Sequence, residues 1–254
     1  MSFIAIVPAR LASTRLPNKA LIDLGGKPMV VRTAQQASYS QANRIIVATD
    51  SPEIMEAVKA EGFEAVLTSP DHPTGTDRLA EVVATLGLAP DEIVVNVQGD
   101  EPLIEPELIN QVALSLRQSS EASIATMAVP IHDAETLFNP NIVKVVLNRS
   151  QYALYFSRAP IPWARDALAD GKQRLAHKLP ALQHIGLYAY RVNFLHRFPT
   201  LERGILESVE SLEQLRALEN GFTIAVSVSP NPPAPGVDTL EDLARVREIF
   251  VNRL

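Results

Sequence analysis

Residues Ile4 to Leu24 read IAIVPARLASTRLPNKALIDL, and this stretch decides the fold. It opens on the continuous apolar run Phe3-Ile4-Ala5-Ile6-Val7 and passes directly into a loop that carries Arg10, Arg15 and Lys19. A short run that is apolar on both alternating faces is the signature of a strand buried inside a parallel sheet. Ligands of such sheets bind beyond the carboxyl ends of the strands, which is where the three cations fall. The loop is therefore a candidate anion site. No acidic residue stands between Met1 and Ala20, although the chain as a whole carries a formal charge of -6. Scattered solvated charge is the competing reading, and the local excess of cations argues against it.

Working outward, the first half repeats the same rhythm of apolar run and helical spacing. Arg44 to Thr49, the weaker Ala65 to Thr68, and Ile93 to Gln98 read as further strands. Helical patterns follow each, with Ser51 as N-cap and Pro52 at the first helical position of one of them. Four βα units are complete by about residue 117. From Ala122 the pattern changes, and Ala122 to Val129, Ile142 to Leu147, Tyr152 to Phe156 and Gln183 to Tyr190 read as strands with little helix between them. This predicts an antiparallel excursion with a polar loop from Asp166 to Lys178. One helix from Glu207 to Glu219, a strand from Thr223 to Val228 and a helix from Thr239 to Val251 close the chain. The expected fold is α/β: a single doubly wound, mostly parallel sheet over 1–254, with 122–190 as a β-rich inserted arm.

Composition bounds the function. With 254 residues, 46% hydrophobic and 20% charged, the chain has ample length for a buried core. The acidic balance speaks against nucleic acid as a partner. The absence of cysteine excludes disulfides, thiolate metal sites and thiol nucleophiles. No apolar run reaches the roughly 18 residues of a membrane span, and the N-terminus lacks signal-peptide order, so no membrane insertion and a cytoplasmic location are expected. Neither the G-x-x-x-x-G-K-[ST] phosphate loop nor the G-x-G-x-x-G dinucleotide fingerprint occurs, so a nucleotide bound here must be held largely by side chains.

Two carboxylates stand at informative places. Asp100 lies just past a strand end, beside a glycine that lets the backbone turn sharply. There it either holds Mg²⁺, which favours hard oxygen ligands, or caps a turn before Pro102. Asp238 either joins a capping box for the last helix or, if Thr239 is the N-cap and pairs with Asp242, is left outside the helix to face a metal. His184, on a predicted strand with Tyr188 four residues on, is either a satisfied structural histidine or a ligand. Glu213 and Gln214 interrupt a leucine-rich helix and read as solvated face or as site.

These motifs together resemble the 3-deoxy-manno-octulosonate (Kdo) cytidylyltransferases, the CMP-Kdo synthetases. The likeness runs through Pro8 to Lys19, Gly26-Lys27-Pro28-Met29, Gly75 to Glu81, Asn96-Val97-Gln98-Gly99-Asp100-Glu101-Pro102, His184-x-Gly186-x-Tyr188, Leu212 to Arg216 and Gly236-Val237-Asp238-Thr239, and so spans nearly the whole chain. It departs at Asn18 and Ala20, where the family usually has Gly and Pro, and at Asp77, where Glu is expected. The resemblance implies a nucleotidyltransferase that moves CMP from CTP to the anomeric hydroxyl of Kdo for lipopolysaccharide synthesis, releases pyrophosphate, requires Mg²⁺ and works as a homodimer. It places Ala9, Arg10, Ser13, Arg15, Lys19, Arg78 and Gln98 at the nucleotide and Asp100 and Asp238 at the metal. Gln98, His184, Tyr188, Glu213 and Gln214 fall at the sugar, and Arg10, Lys19, Asp100 and Asp238 carry the catalysis. The alternatives are transfer to a related acid sugar, 8-amino-8-deoxy-Kdo or sialic acid, and a non-catalytic nucleotide-sugar-binding protein.

Overall fold

The computed structural model describes residues 2–13, 16–171 and 173–251. Arg15, expected at the nucleotide, lies outside them. In chain order the elements are β1 (Ile4–Ala9), α1 (Met29–Ser38), β2 (Arg44–Thr49), α2 (Pro52–Ala60), β3 (Glu64–Leu67), α3 (Gly75–Thr85), β4 (Ile93–Asn96), α4 (Pro106–Gln118), β5 (Ile124–Pro130) and α5 (Ala134–Phe138). They continue with β6 (Lys144–Leu147), β7 (Ala153–Ser157), β8 (Leu182–Arg191), α6 (Val192–Arg197), α7 (Ile205–Glu210), α8 (Gln214–Glu219), β9 (Ile224–Val228) and α9 (Leu240–Val251). The nine strands form one mixed sheet in the order β3-β2-β1-β4-β8-β5-β9, with β6 paired to β7 and β8. The α/β class and the mostly parallel order are as expected.

The backbone divides into two compact units. One holds the residues up to Leu114, Leu187–Pro199 and those from Pro233 onward; the other holds Ser115–Gly186 and Thr200–Pro232. In the first, β1 pairs in parallel with β2 and β4, and β2 in parallel with β3. The second half of β8 runs antiparallel to β4. The apolar run that opens the chain is buried as anticipated, with Ile4 to Val7 at 2% exposure or less. Ser51 caps α2 through its side chain, which accepts from Ile54 N at 3.3 Å, and Pro52 follows at the first position.

A second apolar cluster in this unit matters for the loop after β1. Leu16, Leu24 and Met29 pack with Val237, Leu243, Val246 and Phe250 of the chain's last segment. Each large side chain buried in this way contributes about 1.5–3 kcal/mol. Arg32 adds a hydrogen bond from Nε to Leu24 O at 2.8 Å and stacks 4.7 Å over the Phe250 ring. The two ends of the sequence are thereby held together, and with them the loops that carry Lys19 and Asp238.

In the second unit β5 pairs in parallel with β9, and β6 is antiparallel to β7 and β8. The expected excursion is thus only partly antiparallel, and α5 interrupts it, capped by Asp133, whose side chain accepts from Thr136 N at 2.7 Å. The single helix expected over Glu207 to Glu219 is two, α7 and α8. Ser211 breaks it in a left-handed conformation with φ 52°, where an L-residue other than glycine is strained. Lys144, which a strand pattern would leave facing solvent, is wholly buried; its ammonium donates to the carbonyls of Asn139 at 2.9 Å, Ile142 at 2.6 Å and Arg158 at 2.6 Å.

Candidate active site

At the carboxyl ends of β1 and β4, within the first unit, lies a cavity of about 380 Å³. Its lining includes Ala9, Arg10, Ser13, Lys19, Arg78, Gln98, Asp100 and Asp238. Every described residue expected at the nucleotide or the metal is therefore brought to one place from distant segments of sequence. Pro8, Ala12, Ala20, His72, Pro73, Thr74, Gly75 and Gly99 complete the wall.

The closeness of the β1 and β4 exits depends on Gly99. A Cβ on that residue would sit 2.6 Å from the carbonyl oxygen of Pro8, a distance real side chains do not tolerate. The turn inferred from sequence is present, closed by Glu101 N donating to Gln98 O at 3.1 Å, and what demands glycine within it is this backbone approach. Thr33 Oγ1 donates to Gly99 O at 3.1 Å and so fixes the loop from the helix side. Asp100 is then tied to the chain's last segment, because Val237 N donates to Asp100 O at 2.9 Å.

Lys19 sits between the two acidic loops. Its ammonium lies 2.7 Å from Asp100 Oδ2 and 3.0 Å from Asp238 Oδ1. Thr239 is the residue that caps α9: its Oγ1 accepts from Asp242 N at 3.1 Å, and the Asp242 carboxylate accepts in return from Thr239 N at 3.0 Å. Asp238 accordingly stands outside the helix. Two carboxylate oxygens that already share one cation are a fitting donor pair for a divalent metal. Among the described residues no group of three or more His, Asp or Glu side chains could hold a metal unaided. Phosphate oxygens and water would have to complete the shell, as Mg²⁺ favours.

Arg78 lines the cavity, as expected of a residue at the nucleotide, and is also held from behind. Its guanidinium is buried, donating from Nη1 to Thr68 Oγ1 and from Nη2 to Asp50 Oδ2 at 3.3 Å. Asp50 in turn accepts from the backbone N of Leu11 at 3.0 Å. Arg78 thus contributes to the cavity wall while it anchors the basic loop through Asp50, a residue that sequence reasoning left without a role. His72, also missed, pairs through Nε2 with Glu81 Oε2. Burial alone would raise the Glu81 carboxyl; hydrogen bonds from His72 and Ser69 outweigh it and hold the group below its usual range.

Glu101, next in sequence to the cavity-lining Asp100, is the other unassigned acid. Burial first, and then the charges of Asp100, Glu105 and Asp238, push it up to about 7. Its Oε2 is shut off from solvent with no hydrogen-bond partner among the described residues. The signal available in sequence was only its place between Asp100 and Pro102.

The residues expected at the sugar are divided between the units. Gln98 lines the cavity, and Tyr188, on β8 opposite Asn96, stacks on Tyr190 with centroids 5.7 Å apart. His184, Glu213 and Gln214 belong to the second unit. His184 Nε2 lies 3.0 Å from Thr126 Oγ1, and Phe156 packs edge-on with its centroid 5.0 Å away. Burial pushes this imidazole down to about 3, so it is neutral at physiological pH. Gln214 Nε2 is a buried donor with no acceptor among the described residues.

Comparison with known proteins agrees with this geometry. A sequence-family profile described as cytidylyltransferase matches residues 4–224. Among solved structures, one described as CMP:2-keto-3-deoxy-manno-octonic acid synthetase complexed with CTP is 38% identical, with a TM-score of 0.89, over 100% of this chain and 99% of its own. A cytidylyltransferase from Leptospira borgpetersenii serovar Hardjo-bovis is 16% identical, with a TM-score of 0.60, over 100% of this chain and 87% of its own, a likeness that speaks to the fold alone.

Proposed function

The chain belongs to the cytidylyltransferase family, and from that premise we propose that it transfers CMP from CTP to the anomeric hydroxyl of Kdo and releases pyrophosphate. The observation that carries the reading is the meeting of a basic loop and two carboxylates in one cavity, with Arg10 in its lining and Lys19 in contact with both Asp100 and Asp238.

In this reading the triphosphate enters against the loop after β1. Lys19 turns from the carboxylates to the phosphates, and with Arg10 it takes up the charge that builds on the departing pyrophosphate. Asp100 and Asp238 are the residues that would hold Mg²⁺. When bound there, the ion neutralises phosphate charge and makes the attacking hydroxyl more acidic. Asp50 and Arg78 keep the loop in place, and Gln98 supplies a polar contact at the cavity wall. The acceptor's own carboxylate needs hydrogen-bond donors, a part given within the second unit to Gln214 and the neutral His184, with Glu213 accepting from sugar hydroxyls. A homodimer belongs to the same reading: Leu154 and Trp163 of the second unit expose 62% and 54% of their surface, and light scattering gives the mass in solution.

Pyrophosphate release, measured with Mg²⁺ and CTP and with Kdo, 8-amino-8-deoxy-Kdo or sialic acid in turn, is the decisive assay. Release with CTP and Kdo is expected, and turnover with sialic acid alone refutes the reading. Asp100→Asn should lower kcat by about two orders of magnitude or more while the melting temperature changes little, because metal-assisted chemistry and not packing is removed. Near-full activity of that variant at saturating Mg²⁺ removes Asp100 from the metal site.

A further inference from the structure

Glu210, the last residue of α7, has no part in the reaction as derived above, yet it accepts three hydrogen bonds from the end of β7 and the residue after it. Its carboxylate receives Ser157 Oγ at 2.5 Å, the backbone N of Arg158 at 2.9 Å and Tyr155 OH at 3.3 Å. Burial works to raise this carboxyl, and the three hydrogen bonds together with the Arg158 charge hold it below its usual range, so the group is an anion at neutral pH.

Arg158 closes the other side of the turn. Its guanidinium donates from Nε to Glu210 O at 2.8 Å and from Nη1 to Pro140 O at 3.1 Å, and Nη2 lies 3.5 Å from Ser211 O. The Arg158 carbonyl is itself held by the buried Lys144 ammonium. Within this clamp sits Ser211, in the left-handed conformation that ends α7, and three residues later comes Gln214 with its buried donor unused. A strained turn persists only where its surroundings over-determine it, and such turns gather at binding sites. A second fastener joins the two helices, where the Arg216 guanidinium meets Glu207 through two hydrogen bonds of 2.8 and 2.7 Å.

We infer that Glu210 is a positioning residue for acceptor recognition: with Arg158 it fixes the turn at Ser211 and thereby aims Gln214 at an oxygen of the acidic sugar. This rests on the function proposed above, in which Glu213 and Gln214 meet the acceptor. A role in folding alone would weaken both substrates or neither. A role in aiming Gln214 weakens the acceptor and leaves CTP, whose contacts lie in the other unit, untouched.

The test is steady-state kinetics of Glu210→Gln with CTP and Kdo varied in turn, beside thermal melting. KM for Kdo should rise by about tenfold or more, with KM for CTP within about twofold of the unsubstituted protein. Ser157→Ala, which removes one of the three donors and is milder, should raise KM for Kdo by about threefold. In a Gln214→Leu background the Glu210→Gln change should add little, since both act through one contact. The inference is overturned if both KM values rise together, if kcat and the melting temperature fall with KM for Kdo unchanged, or if the Glu210 and Gln214 effects are additive. An unsubstituted protein that releases no pyrophosphate with CTP and Kdo overturns the proposed function first, and this inference with it.

Discussion

At His184 a residue suited to sense pH is held out of its ordinary range. Its folded pKa of about 3 lies below the ordinary 6.5, so between these values the unfolded chain binds a proton that the folded chain refuses. The stabilisation is complete above pH 6.5 and is lost as the pH falls toward 3. Urea unfolding at pH 4, 5 and 7 should therefore show a steeper loss of stability with acid for the unsubstituted protein than for His184→Gln, and equal slopes would contradict the burial of the ring. The comparison is needed because Glu101, raised to about 7, acts with the opposite sign above its ordinary value of 4.5. Arg78 teaches a related lesson at the same scale. Its position in the Gly75-Thr76-Asp77-Arg78 motif was legible, but its partners Asp50 and Thr68 come from the ends of two other strands, and no spacing in the sequence reports them.

The pair α7 and α8 shows how an element depends on its fastenings. Glu207 and Arg216 join the two short helices through a buried fork, with side-chain exposures of only 4% and 9%. Short helices are marginal alone, so the tertiary contacts decide whether they form. Removing one partner leaves the other charge buried, and Arg216→Met should cost about 3–5 kcal/mol in a urea titration. Glu207→Leu combined with Arg216→Met should recover most of that loss, because an apolar pair of similar volume needs no solvation. If the double variant is as unstable as the single one, the helices are held by something other than this pair. The break between them was hidden from the sequence, since Ser211 adopts a conformation that glycine or asparagine usually signals. The caps at Ser51 and at Thr239 with Asp242 were legible because capping uses local, side-chain-specific chemistry.

At the scale of the molecule, the first four βα units could be read directly from apolar runs, and the cavity at the ends of β1 and β4 followed from them. Loops ending on Lys19 and Asp238 are 219 residues apart in sequence. Their meeting depends on the Leu16, Met29 and Phe250 cluster, which is long-range packing with no local signal. The same holds for Lys144, which looks like an ordinary strand-face charge until its three carbonyl acceptors are counted. Buried, and with its pKa lowered chiefly by desolvation, that amine is chemically silent: a reagent such as acetic anhydride cannot reach it in the folded chain. Peptide mass spectrometry should find exposed Lys59 acetylated in native protein and Lys144 acetylated only as urea unfolds the second unit, while equal labelling of both would show that the interior is open. One side chain thus gives the protein a built-in chemical label for the integrity of the segment on which Arg158 and Glu210 depend.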